Sequence, residues 1–138
     1  MIKKHIFITL PIPPSVNGLY NGGMRSKRRF ISSKYQDWID LAGHLLAQQR
    51  QDNIAGLTFI TYGFQRPDKR RRDVQNYIKA VTDLLVKRNV IEDDSLIQGE
   101  YAYWINETGD SVLVNIYQST DGNDSINIAQ QIHNILVS

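Results

Sequence analysis

The sequence predicts an α+β fold, with one mixed β-sheet and helices packed on one of its faces. Three observations lead there. Leu57 to Phe64 is a nearly continuous apolar, β-rich run, which suits a central strand buried on both faces. A segment of helical period, about Asp73 to Lys87, follows it closely and leads into further β-rich runs at Leu96–Trp104 and Ser111–Tyr117. The length of 138 residues, with 41% apolar and 22% charged content, suits one domain spanning 1–138 with a sizeable core.

The elements follow in order. His5 to Leu10 alternates and is rich in Ile and Phe, so it reads as a first strand. Pro11, Pro13 and Pro14 fix φ and remove backbone donors, keeping Pro11 to Tyr20 extended or turning. Asn21-Gly22-Gly23 signals a turn, and Arg28 to Ile31 reads as a short returning strand. Ser32-Ser33 caps a helix to about Gln49, on which Tyr35, Trp38, Ile39, Ala42, Leu45 and Leu46 recur at helical spacing. Gln65 to Arg72 is a loop. On the helix after it, Val74, Tyr77, Ile78, Val81, Leu84 and Leu85 face the sheet, while Asn76, Lys79 and Asp83 form an opposite polar stripe. Asn89 to Asp94 returns the chain. The two later strands are expected to form a hairpin around Glu107-Thr108-Gly109-Asp110. A last helix, about Asp124 to Leu136, carries Ile128, Ile132, Ile135 and Leu136.

Composition excludes several kinds of chemistry. Without cysteine there is no disulfide, zinc–thiolate site or cysteine nucleophile, and a reducing cytoplasm is the expected location. The N-terminal apolar run ends at Pro11, too short for a membrane span, so no membrane partner is expected. His5, His44 and His133 lack metal-ligand spacing. The net charge of +2 says little, but its placement says more. Arg25, Lys27, Arg28 and Arg29 form one cluster; Arg66 with Lys69, Arg70, Arg71 and Arg72 forms another. Two basic patches on a nearly neutral chain suit an anionic partner.

Carboxylates sit among these cations. Asp73 directly follows the arginine run, and Glu92-Asp93-Asp94-Ser95 follows about twenty positions later. Bare carboxylates would repel a phosphate backbone, and a divalent metal reverses that local sign. Two aspartates and several waters make a reasonable Mg²⁺ site, since that ion keeps part of its hydration. Asp73 and the returning Asp93-Asp94 offer such carboxylates, and Lys79 is expected to neutralise a pentacoordinate phosphorane. Asp83, ten helical residues and about 15 Å from Asp73, is expected to orient Lys79 instead.

The motifs Asp68-Lys-Arg-Arg-Arg-Asp73-Val-Gln75-Asn76-Tyr-Ile-Lys79-Ala-Val-Thr-Asp83 and Asp93-Asp94-Ser95, preceded by Leu10-Pro-Ile-Pro-Pro14-Ser15-Val-Asn17 and Tyr20, resemble the RusA family of Holliday-junction resolvases. These are small endodeoxyribonucleases usually carried by phages and prophages. The resemblance covers most of the first hundred residues or so. It implies a homodimer that binds four-way junction DNA by shape and cuts it symmetrically with Mg²⁺, for which Mn²⁺ substitutes. Position by position, Asp73 and Asp94 become metal ligands, Lys79 the catalytic cation, and Lys69 to Arg72 DNA contacts. Arg28 and Arg29 fall where the family has a basic hairpin. One departure stands out: the second Asp of the family's Asp-x-Asp-Asn is Gln75 here. Its carbonyl still ligates a hard cation but brings no charge, leaving Asp93 or Asp68 to assist. Two alternatives stay open, a junction-binding protein that cuts slowly or not at all, and an RNA-directed metal nuclease.

Overall fold

The structure, a computed structural model, describes residues 2–15, 20–21, 30–49, 52–119, 127, 129–131 and 133–134. The chain runs through β1 (Ile2–Pro11), β2 (Tyr20–Asn21), β3 (Phe30–Ile31), α1 (Ser33–Gln49), β4 (Thr58–Arg66), α2 (Gln75–Lys87), a 3-10 turn (Asp94–Leu96), β5 (Ile97–Thr108) and β6 (Ser111–Ser119). Four strands form one sheet in the order β1-β6-β4-β5. The β1–β6 and β6–β4 pairs are antiparallel and the β4–β5 pair is parallel, so the sheet is mixed as expected.

The hairpin expected between β5 and β6 is corrected by the register. Both strands pair with β4, one along each of its edges, and neither pairs with the other. The physical reason lies in β4 itself, whose first seven residues are buried. A β5–β6 hairpin would leave this most apolar strand at an edge with unpaired backbone groups. The turn instead steps across the end of β4: the Gly109 amide donates to the Arg66 carbonyl at 3.0 Å and the Ser111 amide to Gln65 Oε1 at 3.2 Å. A Cβ at position 109 would meet the Gln65 carboxamide, which would have to move aside.

One face of the sheet carries the core. Ile6, Ile8 and Leu10 of β1, Ile60, Tyr62 and Phe64 of β4, and Val112, Val114 and Ile116 of β6 share a cluster with residues of both helices. Helix α1 contributes Tyr35, Trp38, Ile39, Ala42 and Leu46, and α2 contributes Tyr77, Ala80, Val81, Leu84 and Leu85. Ser32 starts α1 as read from the sequence, its Oγ accepting from the Tyr35 amide at 3.1 Å. Leu45 stays outside the fully buried set. Helix α2 starts at Gln75 rather than Asp73.

β4, α2 and β5 form a parallel βαβ unit, so α2 runs antiparallel to both strands. Asn89, at φ 58°, ends α2 in the left-handed region that asparagine tolerates, and Val90 and Ile91 then bury. This closure delivers Asp93 and Asp94 to the start of β5. The expected N-terminal hairpin shows in part, as Asn21 pairs with Phe30. Its tip, including Gly22, Gly23 and Arg25 to Arg29, lies outside the described residues, as does Asn17. Near the C-terminus residues 127, 129–131 and 133–134 are helical, while Ile128, Ile132, Ile135 and Leu136 fall outside the description. Among the described residues no helix is long and apolar enough to cross a membrane.

Candidate active site between helix α2 and strand β5

The polar stripe of α2 does not face bulk solvent alone. It forms one wall of an open cavity of about 870 Å³, and the start of β5 forms the other. Gln75, Lys79 and Asp83 line it from the helix, and Asp94 and Glu100 from the returning chain. The amphipathic split of α2 explains the first wall: Tyr77, Ala80, Val81, Leu84 and Leu85 are held in the core, and Gln75, Lys79 and Asp83 fall on the other side of the helix.

Lys79 and Asp83 form the i,i+4 pair read from the sequence, with Nζ 2.9 Å from Oδ2. Asp94 opens the 3-10 turn with its side chain on the cavity wall. Asp93 is turned to a local role, accepting from Ser95 Oγ at 2.6 Å. The Ser95 and Asp94 hydrogen bonds hold its carboxyl below the usual carboxylate range. Asp93 is not part of the cavity lining.

Nor is Asp73. It is exposed at the mouth of α2, where its Oδ1 accepts from the Gln75 amide at 3.0 Å and its carbonyl from the Asn76 amide at 3.1 Å. These bonds satisfy donors that a helix start leaves open. The N-terminal end of α2 lies against Trp104, whose ring centroid is 5.9 Å from that of Tyr77, whereas Asp94 precedes the first residue of β5. The cavity thus gathers Gln75, Lys79 and Asp94, and leaves Asp73 at its rim, two residues before Gln75. Among the described residues no three His, Cys, Asp or Glu side chains stand close enough to hold a metal by themselves. The donors that do face the cavity are hard oxygens from one amide and a few carboxylates. That set fits a divalent cation such as Mg²⁺, which takes one or two protein carboxylates and completes its shell with water and phosphate.

The basic loop is internally organised. Asp68 accepts from the Arg70 amide at 2.9 Å, from Arg70 Nε at 3.1 Å and from Arg72 Nη2 at 2.6 Å. Arg72, and then Arg70, hold the Asp68 carboxyl well below the usual range. Arg72 also donates to Tyr77 Oη at 2.9 Å, locking the loop to α2, and both partners push its guanidinium further towards the charged form. Arg66 lies over the Trp104 ring, 4.8 Å from its centroid. Lys69 and Arg71 are exposed and make no ion pair among the described residues. The four cations expected to meet DNA therefore divide: two brace the loop through Asp68, and two point free charge outward. Arg28 and Arg29 lie outside the described residues.

Sequence reading missed Glu100. Its Oε1 accepts from the Tyr62 hydroxyl at 3.0 Å, and that hydroxyl lies 2.7 Å from Thr82 Oγ1 on α2. Burial, and then the Glu100 charge, push the Tyr62 phenol well above its ordinary range. A signal existed in strand parity: Glu100 shares its face of β5 with Ala102 and Trp104, which pack on the core.

This chain resembles known proteins. The family described as Endodeoxyribonuclease RusA matches residues 11–117. The Crossover junction endodeoxyribonuclease RusA of Escherichia coli (strain K12) is 33% identical over 91 residues, covering 65% of this chain and 74% of the relative. Its counterpart in Shigella sonnei (strain Ss046) is 34% identical over 91 residues with the same coverage.

Proposed function

This chain belongs to the RusA family of endodeoxyribonucleases and is a Holliday junction-resolving endonuclease; from that premise we propose that the α2–β5 cavity is where it cuts, with Mg²⁺ as cofactor. The observation that supports this reading is the convergence of Lys79 and Asp94 on one cavity beside the basic loop. Asp94 and the Gln75 carbonyl would hold the ion, with Asp73 as a further carboxylate. A bound divalent cation supplies Lewis acidity to the phosphodiester and an activated water. Asp83 holds Lys79 in place, and Lys79 presents its ammonium to the charge that builds on the non-bridging phosphoryl oxygens during attack. Lys69 and Arg71 bind flanking phosphates, assisted by Arg70 and Arg72 as the DNA settles on the loop. Arg28 and Arg29 are assigned to contacts with the junction arms.

Phosphate contacts set affinity, while specificity for a four-way junction comes from its shape. Paired symmetric incisions need two active sites, which is the reason to propose a homodimer. The whole chain, 1–138, acts as one domain, and absence of cysteine fits work in a reducing cytoplasm.

The test is cleavage of an end-labelled four-way junction with Mg²⁺ and with chelator. Wild type is expected to cut only with the metal. Lys79→Ala is expected to bind the junction within a few fold of wild type while cutting far more slowly. Loss of binding in that variant would assign Lys79 to docking instead. The competing reading, a junction binder without catalysis, draws on Gln75, and wild type leaving the junction intact in both Mg²⁺ and Mn²⁺ would establish it.

Arg71→Ala provides a separate check on the DNA surface. Removing one exposed cation should weaken binding at physiological salt and reduce the slope of log K against log salt by about 1. An unchanged slope removes Arg71 from the phosphate contacts.

A further inference from the structure

We infer that Glu100 is a functional carboxylate of this cavity, taking part in holding the divalent cation across from Gln75, an inference that rests on the cavity being the nuclease site. Three observations carry it. First, Glu100 lines the same cavity as Gln75, Lys79 and Asp94, from a strand rather than from either acidic motif. Second, its side chain is pre-oriented. Tyr62 is fully buried, so its hydroxyl is a fixed point, and it grips Glu100 Oε1 at 3.0 Å. With its one proton given to Glu100, the same hydroxyl accepts from Thr82 Oγ1 at 2.7 Å, so helix, central strand and edge strand share one hydrogen-bonded chain. A carboxylate restrained through one oxygen loses little further freedom when the group is used to hold an ion.

Third is the charge balance. Asp83, Asp94 and Glu100 bring three negative charges to the lining, and Lys79 one positive. The net of −2 repels a phosphate until a divalent ion balances it, whereas Asp83 is already paired with Lys79. With Gln75 neutral, Asp94 and Glu100 are the two carboxylates of the lining left to face the ion. Two carboxylates with an amide oxygen and water make a normal shell for Mg²⁺.

Glu100→Gln separates this role from a structural one, because the amide oxygen still accepts from Tyr62 while the charge is gone. Mn²⁺ binding to the full-length protein without DNA, followed by the loss of the free-ion electron paramagnetic resonance signal, is the readout. Glu100→Gln is expected to weaken Mn²⁺ roughly tenfold with Tm and junction binding unchanged. Gln75→Asp in the same background should restore much of the affinity. Unchanged affinity in Glu100→Gln, or no Mn²⁺ binding by wild type, overturns the inference. Should Tm fall in Glu100→Gln, Glu100→Asp decides: it keeps the charge, and a tenfold loss that it does not relieve also overturns the role. Wild type that binds Mn²⁺ through Glu100 but leaves junctions uncut would refute the nuclease reading and leave this one standing.

Discussion

Asp94→Asn is expected to lower junction cleavage by at least about a hundredfold while junction binding stays level or tightens. The substitution is isosteric and removes only charge from the cavity wall. If that carboxylate holds the catalytic ion, its loss forfeits several kcal/mol of charge stabilisation, and each ~1.4 kcal/mol is worth a factor of ten in rate. Binding responds in the other sense. Affinity comes from cations on phosphates, and deleting a negative charge near the DNA path removes a repulsion. Single-turnover cleavage under saturating enzyme isolates the chemical step from binding. A variant cutting within threefold of wild type would take Asp94 out of the reaction. Asp73→Asn run beside it asks a different question, since Asp73 sits at the rim and serves the start of α2 through the Gln75 amide. Equal loss in both variants places them in one catalytic unit. Loss confined to Asp94→Asn reduces Asp73 to a helix-start residue.

How much of this was legible follows from where the determinants sit. The helices were readable because their determinants are local: Ser32 caps α1, and the period of Tyr77, Val81, Leu84 and Leu85 fixes which face of α2 is buried. The Lys79–Asp83 pair is likewise a matter of four residues on one helix. Sheet order was not local. A short turn at Gly109-Asp110 usually means a hairpin, and only competition for the edges of β4 explains why β5 and β6 flank it. The same blindness affected the site. Asp73 and Asp94 lie a helix apart in sequence, and whether a helix of 13 residues brings them together depends on the direction in which it packs. Gln75 lines the cavity and Asp73 precedes it by two residues. Glu100 escaped notice because no motif surrounds it; its importance arises only when Tyr62 and Thr82 meet it through space.

Phe64→Ala is expected to be the most damaging of the core substitutions for both stability and site. Phe64 is completely buried near the end of β4. Its ring stands 5.9 Å from both Tyr77 and Trp104 and 6.3 Å from Tyr62. Those three residues belong to the mouth of α2, to β5 and to the Glu100 hydrogen-bond chain. Truncating a buried phenylalanine costs about 3–5 kcal/mol in lost transfer energy and residual cavity. Against a total of roughly 5–15 kcal/mol, that loss leaves a marginal fold. A fall in Tm on the order of 10 °C or more should follow, read by calorimetry. Phe7→Ala is the internal control, because Phe7 is 54% exposed and its truncation should cost well under 1 kcal/mol. Below its own Tm, Phe64→Ala should also lose more cleavage than junction binding. The exposed cations of the loop do not pack on Phe64, whereas the two walls of the cavity are joined through it. A stability loss no larger than that of Phe7→Ala would mean the aromatic cluster is not what ties α2 to β5.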